Sequence, residues 1–365
     1  MTDAEKINAL RLIRTPHIGP VTYSLLLARY GSATNAIDEA PHLAKRHGRP
    51  LKLCKKADAE KIISQADECG ASLIVKGDID YPARLLAFDD APVILFAKGH
   101  LSLLNSDMIA IVGARNASIN AMNLTAHWAK ELGETGLVIL SGLARGVDRA
   151  GHIGGLATGT IGITGCGIDI VYPRENEDLY TQMFQSGLII SENIPGTKPS
   201  PRNFPARNRI IASLAKGILV IEAAMQSGSL ITAREGNDRG AEIMAIPGSP
   251  SDPRARGSNQ LLKDGAHLVT SPQDVLEILQ SPLSEPRLFP PAYETNELSQ
   301  IDDKIIQNLA DDIMKMITIE PVDIDELIRQ CHVSAKAIHI ALLELELAGH
   351  ISRLSGNRVC KLLNY

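Results

Sequence analysis

Six short apolar runs, separated by stretches of helical character, constrain the fold of this chain more than any other feature. Continuous apolar strands that alternate with helices predict an α/β protein with a parallel sheet covered on both faces. Ligands bind such a sheet beyond the carboxyl ends of its strands, where this sequence concentrates Gly, Ser, Asn and Arg. The runs are MIAIVG (108–113), GLVILSG (136–142), GTIGITG (159–165), GLIISE (187–192), GILVIE (217–222) and AEIMAIPG (241–248).

The N-terminal region has a different pattern. Residues 1 to about 75 carry apolar side chains at three-to-four spacing, which predicts helices. The segment TPHIGPVT (15–22) between the first two helices resembles the hairpin of helix-hairpin-helix modules. Gly19 would let that hairpin approach a phosphate, although His17 stands where the first glycine is usual. A simple turn between two helices is the alternative interpretation.

The C-terminal region is predicted to be a winged-helix domain. Residues 281–300 form a Pro-rich linker without periodicity. Three helices and a two-stranded ribbon then follow in residues 301–365, which is a winged-helix pattern. This domain carries seven Lys and Arg against ten Asp and Glu, a net charge of −3. Because a groove reader needs a basic third helix and wing, we predict that it does not read duplex DNA and serves protein docking or regulation.

Composition restricts the class of protein without choosing a ligand. The net charge of −5 favours no partner, and aromatic residues at 4% leave few side chains for base stacking. The five cysteines are scattered without a CxxC pair, which predicts neither a disulfide framework nor a zinc site. No signal peptide or membrane span is predicted, so we expect a cytoplasmic protein.

The turn that follows the fifth run offers a site for an anion. In QSGSLITARE (226–235), small and hydroxyl residues stand where a helix is predicted to begin. The first turn of a helix presents unpaired N–H groups and the positive end of the helix dipole. The residues concerned are Ser227, Gly228, Ser229 and Thr232.

A second cluster of charge lies between the fourth and fifth runs, in NFPARNRIIASL (203–214). Phe204, Arg207 and Arg209 place one aromatic ring and two guanidinium groups within about a turn of helix. Arginine and aromatic side chains together suit unpaired nucleotides, because the cations attract phosphates and the rings stack on bases. The alternative is a solvated cationic helix start with a phenylalanine in the core.

Other loop residues give weaker signals. Asp148 is interpreted as a helix cap, with an arginine partner and a catalytic acid as the alternatives. Cys166 is interpreted as a buried packing residue in preference to a nucleophile activated by His152. The sequence holds no GxxxxGK[ST], HExxH or GxSxG motif, and no catalytic residue, cofactor or metal site is predicted.

Taken in order, eight motifs make the sequence resemble the DNA processing protein A family, from about residue 80 to 280. They are GARNAS, SGLARGVD, GCGIDIVYP, SE, FPARNRIIA, SGSLITA, IPGSP and GSNQLLKDGA. The resemblance implies a Rossmann-like, doubly wound, mainly parallel sheet, an N-terminal helical SAM-like or helix-hairpin-helix-like domain and a C-terminal winged helix. The implied division is 1–80 for the helical domain, 81–280 for the DNA-binding domain, 281–300 for the linker and 301–365 for the winged helix.

The resemblance also implies a function. Members of the family bind single-stranded DNA, protect incoming strands and load the RecA recombinase in natural transformation. They form homodimers through the Rossmann-like domain and are not known as enzymes. The DNA-binding residues carried over to this sequence are Arg115, Phe204, Arg207, Asn208, Arg209, Ser227, Gly228, Ser229 and Thr232. Gln226 departs from the Lys or Arg frequent before SGS, which shifts phosphate attraction toward Arg234 or weakens it.

Two other functions stay open on the sequence. The SGSLITARE turn is similar to the PGGxGTxxE turn of LOG-type nucleoside-monophosphate phosphoribohydrolases, with Thr232 and Glu235 in the TxxE spacing and Glu222 as a second carboxylate. A nucleotide-sensing module without a DNA role is the third hypothesis. Release of adenine from adenosine monophosphate would distinguish the enzyme from the other two.

Overall fold

A computed structural model describes the chain in four ranges, residues 1–47, 51–280, 303–354 and 356–362. The chain folds into two compact units. The first unit combines Met1–Lys61 with Pro290–Tyr365, and the second is Ile62–Phe289. Helices and strands are numbered in chain order. Within the described ranges, no helix is long and apolar enough to cross a membrane.

The second unit is built on a sheet that has nine strands in the described residues, in the order β1-β2-β6-β5-β4-β3-β7-β8-β9. The neighbours from β6 to β9 in this order pair in parallel, whereas the pairs β1-β2 and β2-β6 are antiparallel. The strands are β1 (Ser72–Val75), β2 (Ile94–Gly99), β3 (Met108–Val112), β4 (Val138–Ser141), β5 (Thr160–Thr164), β6 (Leu188–Ser191), β7 (Gly217–Val220), β8 (Glu242–Ala245) and β9 (His267–Leu268). All six predicted runs are confirmed as strands β3 to β8, and the mainly parallel sheet with them.

Helices cover both faces of this sheet, as the continuous apolar strands predicted. The helices are α5 (Ile119–Glu134), α6 (Val147–Gly155), α7 (Glu177–Ser186), α8 (Asn203–Leu214), α9 (Gly228–Asp238), α10 (Arg256–Lys263) and α11 (Pro272–Leu279). Successive side chains of a strand point to opposite faces. Ile109 and Ile111 of β3 therefore share a core with Trp128 of α5, while Ala110 and Val112 share the opposite core with α8 and α9.

The edges of the sheet were not predicted. β1 begins at Ser72, inside the 1–80 range that the sequence assigned to the helical domain. β2 pairs antiparallel with β6, and β9 has only two residues, both exposed. The pattern of apolar runs separated by helices predicts the parallel core, whereas β1 and β2 pair antiparallel and β9 is too short to form an apolar run.

The first unit brings together segments from the two ends of the chain. Its N-terminal helices are α1 (Asp3–Ile13), α2 (Pro20–Tyr30), α3 (Ala33–Arg46) and the start of α4 (Lys56–Glu68). Its C-terminal elements are α12 (Asp303–Met316), β10 (Val322–Asp323), α13 (Ile324–Cys331), α14 (Ala335–Leu347), β11 (Ile351–Leu354) and β12 (Arg358–Lys361). The predicted three helices and ribbon are confirmed, and β10 adds a third strand in the order β10-β12-β11.

Local signals explain why the N-terminal helices begin and end where they do. The Ser32 hydroxyl accepts the Asn35 N–H at the start of α3, as an N-cap residue does. Pro20 is the first residue of α2, where its missing N–H costs nothing. Between α1 and α2, His17 takes the left-handed conformation with φ 68°. A Cβ atom built on Gly349 would lie 3.0 Å from His17 Nε2, so this turn contacts the winged helix.

Candidate nucleic-acid interface

The site lies at the switch point of the sheet. From β3 the successive strands β4, β5 and β6 extend toward one edge, and from β7 the strands β8 and β9 extend toward the other. β3 lies between β4 and β7, so the loop after β3 and the loop after β7 leave the same edge of the sheet in opposite directions. Such a switch point opens a crevice outside the carboxyl ends of the strands. Gly113 permits this geometry, because a Cβ there would come within 2.6 Å of Val147 and 2.9 Å of the Glu222 carbonyl oxygen.

The turn after β7 forms one wall of the crevice. Ser227 is the N-cap of α9, and its hydroxyl accepts the Ser229 N–H at 3.3 Å. The Ser227 and Ser229 hydroxyls lie 2.6 Å apart, and the Thr232 hydroxyl donates to the Gly228 carbonyl at 3.5 Å. Ser229 and Thr232 are nearly buried, whereas Gly228 is exposed with open space where a side chain would stand. Ser227 and Gly228 are therefore the reachable part of this anion-binding turn.

Helix α8 contributes the second wall. Phe204, Arg207 and Asn208 have the i, i+3, i+4 spacing of one helix face and line the same cleft. The exposed Arg115, from the loop after β3, places its guanidinium over the Phe204 ring, with Cζ 5.8 Å from the ring centroid. The structure thus brings Arg115, Phe204, Arg207 and Asn208 together with the Ser227 turn.

Arg207 is buried, with 7% of its surface exposed. Its Nη1 donates short hydrogen bonds to the Gly142 and Ile163 carbonyl oxygens, at the ends of β4 and β5. Its Nε donates to Asn208 Oδ1 at 3.1 Å. Because these acceptors belong to the protein, Arg207 braces the floor of the cleft and has few donors left for a ligand.

Asp148 is a buried carboxylate close to the Arg207 charge in the floor of the cleft. The helix cap before α6 is Gly146, so the expectation of Asp148 as the cap was wrong. The Asp148 carboxylate instead accepts the Ala144 N–H at 3.2 Å and fixes the loop after β4. Burial raises the pKa of Asp148, while the Arg207 charge opposes that shift.

Arg209 does not line the cleft that Arg207 lines. Five positions after Phe204, it lies on another side of α8. Its Nη2 contacts both oxygens of Glu192, at 2.5 and 2.7 Å, and its Nη1 donates to the Asp90 carbonyl at 2.8 Å. The sequence grouped Arg209 with Arg207 from their proximity along the chain, and the rotation of the helix separates them.

The cleft has two connected parts. One part, of about 690 Å³, extends from Arg115 to Gln226, Ser227 and Thr232. The other, of about 1000 Å³, extends past Arg145 and Arg174. Both are lined by a common set of residues, so we call them together the switch-point groove. The common set is Arg115, Gly142, Ala144, Tyr172, Phe204 and Arg207.

Tyr172 is a groove residue that the site assignment missed. Its ring centroid lies 5.5 Å from that of Phe204, with the planes tilted by 34°. Tyr172 belongs to GCGIDIVYP, a motif used for the resemblance but given no role. The sequence signal that could have identified Tyr172 is an aromatic residue directly before a proline, in the loop after the third predicted strand.

The geometry gives no support to the enzymatic alternatives. Glu222 accepts the Ser118 N–H at 2.9 Å and the Ser118 hydroxyl at 2.7 Å, and neither Glu222 nor Glu235 lines the groove. Cys166 is fully buried, as predicted, and burial raises the pKa of its thiol. Across the described residues, no cluster of three or more His, Cys, Asp and Glu side chains could hold a metal ion.

The third helix of the winged domain, α14, is the element with which a winged helix ordinarily reads duplex DNA, and the charge of this domain predicts that it does not do so here. Every residue from Ile340 to Gly349 is buried. Glu344 is 1% exposed, and its carboxylate lies 3.0 Å from His47 Nε2, 3.3 Å from Arg29 Nη1 and 3.7 Å from Arg46 Nη1. Since these three residues belong to the N-terminal helical segment, that segment covers the helix.

Three further charged or titratable groups of this helix and the wing, Glu346, His339 and Arg353, also have their contacts within the first unit. Glu346 accepts the Thr22 hydroxyl at 2.6 Å and lies 3.3 Å from Arg353 Nε. Burial lowers the pKa of His339 to about 4, with the Arg353 charge adding to the shift, so its ring is neutral at pH 7. The His350 ring nitrogen Nε2 is 2.8 Å from the His47 carbonyl oxygen.

The fold and site define a class, a Rossmann-like α/β protein with a groove at its switch point, preceded in the chain by a helical segment and followed by a winged helix. The family model described as DNA recombination-mediator protein A matches residues 72–280, more than half of the chain, and the chain belongs to this family. Models described as the DprA-like N-terminal HHH domain and the DprA winged helix domain match residues 3–63 and 290–357. The family predicted from the motifs is confirmed.

Individual relatives agree with this assignment. The DNA processing protein DprA of Streptococcus pneumoniae is 45% identical over 54% of this chain and 70% of its own length. Protein Smf of Escherichia coli is 36% identical over 76% of this chain and 74% of its own. A Helicobacter pylori DNA processing protein A, whose structure was solved to explain its single-stranded DNA binding mode, is 29% identical with a TM-score of 0.53, over 57% of this chain and 95% of that one.

Proposed function

We propose that this protein binds single-stranded DNA in the switch-point groove. The observation that carries the proposal is the meeting of three kinds of group in one groove: an exposed arginine, two aromatic rings and a hydroxyl-rich helix start. Arginine and N-terminal amide groups bind phosphates, and rings stack on unpaired bases. The single-stranded DNA binding of the Helicobacter relative supports the same ligand here.

The residues contribute in different ways under this proposal. Arg115, Ser227 and Gly228 contact phosphates, because they are the reachable groups of the anion-binding wall, and Phe204 stacks on a base. Ser229, Thr232 and Asn208 order that wall from within. Arg207 supports the groove floor, and Arg209 acts outside the groove through Glu192.

We propose the wider role on the family's terms. The protein protects incoming strands and loads RecA during natural transformation or recombination in the cytoplasm, as a homodimer through the sheet unit and without catalysis. The family description as a recombination mediator and the relatives' names as DNA processing proteins support this role. A dimer suits it, since two linked grooves raise the effective concentration of one strand.

Fluorescence anisotropy with a labelled oligonucleotide tests the binding proposal. We expect a mixed-sequence single strand to bind more tightly than the duplex of equal length, because a duplex hides the base faces that the groove rings would contact. Affinity should fall with salt as counterions are released. Equal or tighter binding of the duplex would contradict the proposal. Light scattering that finds only monomers at micromolar concentration would contradict the dimer.

A further inference from the structure

Tyr172 and Phe204 form an aromatic shelf in the part of the groove that both clefts share. Among the described residues, Tyr172 is the most exposed aromatic side chain, at 38%. In a chain with few aromatic residues, an exposed ring paired with a second ring is unusual, because burial is the favourable state for such surface. The shelf therefore presents an apolar aromatic surface, made of two rings tilted by 34° to each other, to whatever fills the groove.

Both rings are held in place by the protein. The buried Tyr180 donates its hydroxyl to the Tyr172 carbonyl oxygen at 3.1 Å, which fixes the backbone that carries the ring. Phe204 lies against Gly165, where an added Cβ would be only 3.1 Å from Phe204 Cδ1. A preformed surface loses little side-chain entropy when a ligand binds, so it favours stacking.

The charge around the shelf favours a neutral ligand group. The larger part of the groove is lined by four arginines and three carboxylates. Arg207 directs its charge to backbone carbonyls, and Arg145 lies 3.7 Å from Glu175. The remaining cations and anions nearly balance, so this wall attracts phosphate weakly. The residues are Arg115, Arg145, Arg174 and Arg207, with Asp169, Glu175 and Glu177.

We propose that Tyr172 is a base-stacking residue that seats an unpaired nucleobase on the Tyr172–Phe204 shelf. Arg115 and the Ser227 turn hold the neighbouring phosphates in the smaller part of the groove. The inference rests on the proposed binding of single-stranded DNA and adds a specificity-determining residue to it. Because paired bases cover their faces within the duplex stack, the shelf selects unpaired strands.

The test compares two oligonucleotides with four proteins. The oligonucleotides are a labelled oligothymidine and an oligomer of equal length in which abasic tetrahydrofuran residues replace the nucleosides. The proteins are the unaltered chain, Tyr172→Ala, Tyr172→Leu and Tyr172→Phe. Tyr172→Leu keeps apolar volume without a π-face, and Tyr172→Phe keeps the ring without the hydroxyl. Thermal unfolding confirms that each variant is folded.

We expect Tyr172→Ala and Tyr172→Leu to bind oligothymidine at least about fivefold more weakly, as loss of one stacked base predicts. Tyr172→Phe should bind like the unaltered chain, and all four proteins should bind the abasic oligomer alike. The slope of log Kd against log salt should not change, because no phosphate contact is lost.

Two results would overturn the inference. If the unaltered chain binds oligothymidine and Tyr172→Ala binds it equally well, Tyr172 does not stack and the proposed function stands. If Tyr172→Ala weakens both oligonucleotides by the same factor, the residue acts on the backbone or on the fold. Failure of the unaltered chain to bind oligothymidine would instead overturn the proposed function together with the inference.

Discussion

The switch-point groove and helix α14 are the two places where a protein of this architecture could contact DNA, and they differ in what surrounds their charged groups. In the groove, Arg115 is exposed and Gly228 leaves open space at the start of α9. In α14, Glu344 and Glu346 are buried against partners from the N-terminal segment. A motif becomes a binding site only when its charged groups are left available to a ligand.

The same contrast holds within the groove itself. Arg115 and Arg207 line one cleft, but Arg207 donates to main-chain carbonyls whereas Arg115 extends over Phe204. Arg207 therefore stabilises the fold, whereas Arg115 is available to the ligand. This division leads to predictions that separate stability from binding.

The largest effect is expected for Arg207→Ala. The change removes the hydrogen bonds that Arg207 donates to the Gly142 and Ile163 carbonyls and leaves the buried Asp148 without its neighbouring cation. Breaking such a buried charged network costs about 3–5 kcal/mol. Urea unfolding should show this loss, with Arg115→Ala as the control that leaves the free energy of unfolding almost unchanged. Equal stability of the two variants would mean that Arg207 is not a brace.

A smaller loss is expected for Glu344→Gln. The neutral amide leaves Arg29 and His47 without their carboxylate partner in a buried contact, at a cost of about 2 kcal/mol to the first unit. The control is Glu326→Gln, an exposed position on α13. Urea unfolding should separate the two, while affinity for single-stranded DNA stays the same. A rise in duplex affinity without loss of stability would contradict the view that α14 is a packing element.

The smallest effect concerns His339. Its pKa is about 4 in the folded protein and about 6.5 when unfolded, so the unfolded chain binds more protons between these values. Its contribution to stability is therefore complete above pH 6.5 and is lost as the pH falls, by about 1 kcal/mol between pH 7 and 5.5. NMR titration of the ring should show a midpoint near pH 4. A midpoint near 6.5 would show that the ring is exposed and able to carry charge near neutrality.

The sequence predicted the central fold well because burial imposes a pattern on it. Strands β3 to β8 are buried on both faces and must be continuously apolar, and this pattern is visible without coordinates. The edge strand β9 is exposed and carries no such constraint, and β1 is buried but contributes only four residues to an antiparallel pair with β2. The packing of the N-terminal segment on α14 joins residues such as Thr22 and Glu346, more than 300 positions apart, and no local pattern encodes that pairing.

The site was predicted less completely, for a geometric reason. Proximity in the sequence grouped Phe204, Arg207 and Arg209. The rotation of helix α8 directs Arg209 toward Glu192, so Arg209 lies outside the groove. Tyr172 enters the groove from a different loop, 32 residues before Phe204, so adjacency in the sequence could not identify it. The motifs therefore predicted the position of the groove, but only the rotation of helix α8 determines which of their residues line it.

The most direct test of the account compares Arg115→Ala with Arg358→Ala in the salt dependence of single-stranded DNA binding. Each variant removes one exposed arginine, from the switch-point groove and from the wing respectively. We predict that Arg115→Ala weakens binding about tenfold, as loss of a charge-assisted phosphate contact would. The slope of log K against log salt should become shallower by about 0.7, with Arg358→Ala unchanged in both respects. The opposite pattern, a slope altered by Arg358→Ala and not by Arg115→Ala, would place the DNA on the winged helix and contradict the account.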